Sequence, residues 1–192
     1  LMSLPKLCGT DLNSVPTRPS YYDHQQIGNA AKHRWANKVP QTERKKIGVV
    51  WAGSRDFVHD KKRSVPFAVF EKILRVNAQF HCLQKEISDA DLHNLQKFGI
   101  PFYGDQLDDL LETAALISQM DLVITVDTSI AHLAGSLGKP VWIMLPFNPD
   151  WRWMLERRDT PWYPSARLFR QRTIYQWESV IDQITTELQD FL

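Results

Sequence analysis

Much of what marks a secreted, membrane-bound or nucleic-acid-binding protein is missing from this sequence. Cysteine occurs only at Cys8 and Cys82, too few for a disulfide framework. Cys82 sits in an apolar strand pattern, where it reads as a small buried thiol, and a reducing cytoplasm is the expected setting. No apolar run reaches the roughly 18 residues of a spanning helix, and no signal-peptide pattern is visible, so no membrane span is expected. Charge of one sign is lacking as well. The formal net charge of +1 excludes a general pull toward nucleic acid or an acidic membrane, and leaves any anion site to local basic clusters near 61–63 and 152–158. Glycine is sparse, with 8 residues, and the absence of GxGxxG and Walker patterns disfavours a P-loop or the usual dinucleotide site.

What remains suits one globular domain with a sizeable core: 192 residues, 43% of them hydrophobic. Leu1 rather than methionine stands first, and an excised piece of a longer chain is the expectation. Residues 1–46, broken by Pro5, Pro16, Pro19 and Pro40, read as an irregular lead-in with one short helix near 23–36. From Ile47 the pattern changes, and 47–192 reads as the folded domain. Strands are expected at 47–52, 79–84, 100–104, 121–126, 140–145 and 166–171, the third weakened by Pro101 and placed toward an edge. Between them, 66–76 presents Phe70, Ile73 and Leu74 on one helical face; Ser88 and Asp91 form a capping box for a helix stopping at Gly99; and 107–119 carries a stripe of Leu107, Leu110, Leu111, Ala114 and Ile117 behind Asp108 and Asp109. Trp177, Val180, Ile181, Ile184 and Leu188 mark a last amphipathic helix. This alternation predicts an α/β fold, a Rossmann-like doubly wound parallel sheet of about six strands, with the first strand beside the fourth and a ligand crevice between their C-terminal ends.

Two loops would meet in that crevice. The fourth strand runs into Asp127-Thr128-Ser129, with His132 one turn later. A helix starting there points backbone amides and its positive end outward, a seat for phosphate, and His132 on the first turn is close enough to donate to the same anion. Alternatively, the tripeptide is only an N-cap and His132 a satisfied interface histidine. The loop after the first strand, 53–64, is long and carries Arg55, His59, Lys61, Lys62 and Arg63, cations able to neutralise a diphosphate and to stabilise it as it leaves. Gly53 and Ser54 allow close backbone approach. At the end of the second strand stand Gln84, Lys85 and Glu86, the last a candidate acceptor for a ribose hydroxyl. Finally, 146–165 crowds Trp151, Trp153, Trp162 and Tyr163 into one loop, either anchors against the body or a sugar-stacking or domain-docking surface.

The segments VVWAGS, HDKKRSVP, LQKE, DLVITVDTSIAHLAGSLGKPVWIMLP and DWRWMLERRDTPWYPSARLFRQ together resemble the nucleotide-binding C-terminal half of the heptosyltransferase-like glycosyltransferases of family 9, one half of a GT-B fold, especially those downstream of tetratricopeptide repeats. The resemblance covers about residues 45–190, and the lead-in resembles the family's inter-domain connector. It implies that Asp127, Thr128, Ser129 and His132 bind the donor diphosphate and neighbouring sugar, that Arg63 or Lys62 neutralises phosphate, and that the region of Gln84 and Lys85 contacts the nucleoside. The family's tripeptide usually ends in glycine; Ser129 keeps the backbone donor. By the same resemblance the intact protein is an inverting, metal-independent glycosyltransferase with no cofactor, taking a nucleotide sugar and an unknown acceptor. Its catalytic base is expected in a missing N-terminal domain, so this piece alone is expected to bind without catalysing. The rival expectations are a sugar-nucleotide epimerase or hydrolase of the same fold, and a non-catalytic nucleotide-binding regulatory or scaffold module.

Overall fold

The computed structural model describes residues 4–22, 28–54 and 60–192; Arg55 and His59, and part of the helix expected near 23–36, lie outside them. Among the described residues five strands form one parallel sheet: β1 (Lys46–Val50), β2 (Gln79–Cys82), β3 (Leu122–Val126), β4 (Val141–Leu145) and β5 (Ala166–Arg170), in the order β2-β1-β3-β4-β5. β1 pairs with β3 in the register Ile47↔Leu122 and with β2 through Lys46↔Gln79. The chain therefore runs outward to β2, returns, and leaves on the other side of β1 through β3. That reversal between β1 and β3 is the switch point where such sheets bind ligands. Every residue of β3 and β4 is buried, as expected of central parallel strands covered on both faces.

Helices connect the strands: α1 (Leu4–Leu7) and α2 (Asn29–Lys38) precede β1, α3 (Asp60–Arg63) and α4 (Phe67–Phe70) follow it, α5 (Asp89–Lys97) and α6 (Leu110–Ser118) lie between β2 and β3, α7 (Ser129–Ser136) joins β3 to β4, and α8 (Glu178–Phe191) closes the chain. Local signals account for several ends. Ser88 accepts from the Asp91 amide at the start of α5, and Gly99, at φ +65°, ends that turn in a conformation glycine adopts without strain. Asp109 caps α6 through the Glu112 amide. Val180, Ile181, Ile184 and Leu188 are buried along α8.

Three expectations are corrected. The sheet has five strands rather than about six, because 100–104 contributes a single bridge, Phe102 to Cys82. The Pro101 carbonyl accepts from the Cys82 amide, but proline has no N–H with which to continue a ladder, and a 3-10 turn over Gly104–Gln106 follows. The helix expected over 66–76 is broken into α4 and a 3-10 turn, Ile73–Arg75, although Phe70, Ile73 and Leu74 are buried as expected. In α6, Leu110 and Leu111 are exposed, at 65% and 56%. The helix begins at Leu110, so both sit in its first turn, while Ala114 and Ile117 reach the core.

The lead-in packs on the domain. Trp35 of α2 is 1% exposed, donates from Nε1 to Glu112 Oε2 at 2.8 Å, and meets the Tyr103 ring edge-on at 5.2 Å. Nearer the start, the amide of Tyr21 donates to the Ser136 carbonyl at the end of α7 at 2.7 Å. Among the described residues no helix is long and apolar enough to cross a membrane.

Candidate functional site

At the C-terminal ends of β1, β2 and β3 lies a cavity of about 400 Å³. Its lining includes Ser54 after β1, Gln84, Lys85 and Glu86 after β2, and Thr128 and Ser129 at the start of α7, with Leu107, Asp108, Asp109 and Leu110 on the α6 side. Six residues singled out from three separate stretches of sequence are thus gathered in one cleft at the switch point. Asp127, Lys62, Arg63 and His132 do not line it.

The start of α7 opens on this cavity. Whereas α5 and α6 are capped by Ser88 and Asp109 side chains, the cap position of α7 is Thr128, which makes no side-chain cap hydrogen bond. Its hydroxyl lies 3.2 Å from that of Thr125 instead. The first-turn amides of a helix have no intrahelical partner, and here Ser129 and Ile130 border the cavity. The acidic groups opposite are partly committed: Asp109 Oδ1 accepts from the Glu112 amide at 2.8 Å.

The basic segment after β1 does reach this place. Arg63 donates from Nη1 to the backbone carbonyl of Asp127 at 2.8 Å and from Nε to Asp60 Oδ1 at 3.0 Å. Asp60 also accepts from the Ser64 hydroxyl, which in turn accepts from the Gly53 amide. The cluster folds tightly over Gly53: a β-carbon there would lie 2.2 Å from Asp60 Oδ1 and 2.3 Å from Arg63 Nη2. Lys62, next to it on α3, is exposed.

His132 and Asp127 turn toward the other side of α7. The His132 ring stacks on Trp153, with centroids 5.1 Å apart at 21°, Nδ1 is 3.0 Å from the Tyr163 hydroxyl, and Nε2 is 3.9 Å from Asp127 Oδ1. Burial raises the Asp127 carboxyl above its ordinary range, opposed by the Trp153 indole and by the charges of His132 and Arg63. Burial likewise lowers the His132 imidazole, opposed by Asp127. Both groups are thereby pushed toward their neutral forms.

Some side chains take roles that no local pattern signals. Gln84, expected at the nucleoside, is 5% exposed and already engaged: its Oε1 accepts from the amides of Trp51 and Ala52 at 2.8 and 3.1 Å, and its Nε2 donates to the Glu86 carbonyl at 3.3 Å. It ties the end of β2 to the loop after β1. Gln171 does the same after β5, accepting from the Phe147 amide at 3.0 Å. The 3-10 turn Trp151–Trp153 ends at Met154, with φ 55°, and Arg170 holds that strained backbone by donating to the carbonyls of Trp153, Met154 and Arg157. Asp60 and Arg170 carry no sequence signal beyond their charge; an amide side chain at a strand end is the one cue that pointed at Gln84.

Residues 108–145, from the cap of α6 to the end of β4, match the model of Glycosyltransferase family 9 (heptosyltransferase). The fold is shared with a heptosyltransferase. The chain superposes on the structure of E. coli ADP-heptose lps heptosyltransferase II with a TM-score of 0.53 at 16% identity, covering 85% of this chain and 51% of that one. For the glycosyl transferase family 9 structure from Veillonella parvula DSM 2008 the TM-score is 0.46 at 16% identity, over 82% of this chain and 44% of that one. In sequence, the chain is 30% identical over 156 residues to Protein FlbA of Caulobacter vibrioides, which covers 76% of this chain and 25% of FlbA. The chain therefore spans only part of each of these relatives.

Proposed function

We propose that the cavity at the ends of β1, β2 and β3 holds a nucleotide diphosphate sugar, and that the chain is the donor-binding half of an inverting, metal-independent glycosyltransferase. The observation that carries this reading is the start of α7, a helix N-terminus without a side-chain cap that opens on the switch-point cavity. Orphan amides and the positive end of the helix dipole favour an anion there. In this reading the diphosphate sits on the amides of Ser129 and Ile130, with the Thr128 and Ser54 hydroxyls beside it. Glu86 and Lys85 take the ribose and base side, with Gln84 holding the strand ends in register. Asp127, just before the helix, and His132, one turn into it, take hydroxyls of the sugar next to the diphosphate.

As the glycosidic bond to the donor breaks, negative charge grows on the departing diphosphate. The helix end, Arg63 and Lys62 stabilise that charge, and donors held in place before the reaction do so without reorganisation. The acceptor hydroxyl loses its proton to a base that this reading assigns to a further domain in cis, along with the acceptor site; a cytoplasmic location and linked tetratricopeptide repeats belong to the same proposal. The match of residues 108–145 to the family model supports the glycosyltransferase part of this reading.

Calorimetric titration with ADP, UDP and GDP sugars tests the reading. One of them is expected to bind the wild type and to weaken with Arg63→Ala and Asp127→Ala. Absence of binding by all three, or equal binding by wild type and variants, refutes it.

A further inference from the structure

Across α7 from the nucleotide crevice lies a second cavity of about 670 Å³, bordered by Tyr21 and Tyr22 of the lead-in, by His132 and Ser136 of α7, and by Trp151, Arg152, Trp162 and Tyr163. It shares no lining residue with the first. Its walls are unusual in exposing three large aromatic side chains together: Trp151 at 56%, Tyr22 at 51% and Tyr21 at 42%. Apolar surface gathered in a concave site with a few fixed polar groups is the common form of a ligand pocket.

The rings form corners. Trp151 and Trp162 meet at 88° with centroids 6.4 Å apart, and Tyr21 and Tyr163 at 84° and 6.2 Å. A flat base is gripped best between parallel rings. A corner suits a puckered ring that rests its C–H face on one aromatic and turns its equatorial hydroxyls toward polar side chains, here Arg152 and Ser136. Charge adds a second criterion. Arg152 Nη1 is already paired with Asp150 Oδ1 at 2.8 Å, so little net charge faces the cavity and an anion is not selected.

The walls are also held in advance. Trp162 Nε1 donates to the Arg152 carbonyl at 3.0 Å, and the Tyr21 hydroxyl lies 2.9 Å from the Pro16 carbonyl and 3.1 Å from that of Trp162, stitching the lead-in to the 151–163 loop. The Arg152 guanidinium covers the Trp151 ring at 4.7 Å. Side chains ordered before binding lose little freedom when a ligand arrives.

We infer that this cavity is a saccharide-binding subsite, taking a neutral pyranose unit of a glycan independently of the nucleotide crevice. The inference does not need the crevice to bind a nucleotide sugar, and its test reads the two separately. The probes are methyl glycosides of glucose, galactose, mannose and N-acetylglucosamine at about 10 mM, a concentration able to populate weak, millimolar sites, observed by saturation-transfer NMR on the whole 192-residue chain. At least one glycoside is expected to receive saturation, with roughly tenfold weaker binding in Trp151→Ala and in Tyr22→Ala. Both aromatic side chains are exposed, so unaltered thermal unfolding is expected to show that the variants fold. ADP added in excess should leave the signal in place. The inference is overturned if no glycoside receives saturation, if both aromatic variants bind as the wild type does, if ADP displaces the glycoside, or if a proline-rich peptide binds more tightly than every glycoside.

Discussion

Arg63 of α3 donates to the backbone carbonyl of Asp127 at 2.8 Å, joining the segment after β1 to the segment after β3 across the switch point. The bond fixes the residue that precedes the start of α7 and brings a guanidinium to the rim of the proposed diphosphate site. Replacing Arg63 by alanine is expected to weaken nucleotide-diphosphate binding roughly ten- to hundredfold, the usual range for losing a charge-assisted contact. Calorimetry checks this, and rescue by Arg63→Lys would argue for charge over fork geometry.

Gly53 has no room for a side chain, with Asp60 and Arg63 within 2.3 Å of where a β-carbon would lie. Gly53→Ala is therefore expected to displace the ends of the Asp60 and Arg63 side chains, which can swing aside, and to cost about 1 kcal/mol, the low end for overpacking. Urea denaturation measures the loss. Weakened nucleotide binding in the same variant would tie the close approach to the site.

Gln84 offers a different kind of test, because its role is to accept two backbone amides at once. Gln84→Leu leaves the Trp51 and Ala52 amides without that acceptor and is expected to destabilise the fold by about 1–3 kcal/mol. Faster hydrogen exchange at those two amides is the specific signature, whereas uniform acceleration across the sheet would point to a general packing defect.

His81 makes stability depend on pH. It is fully buried, 3.2 Å from the Tyr103 hydroxyl, and burial with the nearby Lys46 charge lowers its pKa from 6.5 to about 4. Between those values the unfolded chain binds a proton that the folded chain refuses. Its contribution is thus fully present above pH 6.5 and is lost as pH falls toward about 4, amounting to about 3 kcal/mol over that window. Denaturant midpoints at neutral and acidic pH measure it, and His81→Phe should flatten this part of the profile.

Arg170 donates to three carbonyls around the strained Met154. Arg170→Met is expected to cost about 2–3 kcal/mol by leaving those acceptors unpaired. It should also loosen Trp153 from the His132 ring, visible as altered tryptophan fluorescence. Retained fluorescence with lowered stability would confine Arg170 to its own loop.

The amino-acid order alone determined the alternation of strands and helices, the cap at Ser88, and the placing of 53–64 and 127–132 at the same end of the sheet. These follow from hydrophobic periodicity, from side-chain bonds to amides a few residues away, and from the rule that consecutive strands of a parallel sheet end at one edge. The chemistry of neighbouring residues suffices for them. Proline at 101 foretold a weak strand but not its shrinkage to one bridge, since that depended on how far β2 extended beside it.

Only the tertiary structure decided which way side chains of a single helix turn: Ser129 toward the crevice, His132 toward Trp153 and Tyr163. Periodicity assigns a residue to a face of a helix but does not say what packs there. Likewise, Gln84 is engaged by the β1 loop, Leu110 and Leu111 are exposed, and the lead-in walls the second cavity because segments remote in sequence compete for the same contacts. That competition is settled by packing and by the pairing of buried polar groups, which no local pattern encodes.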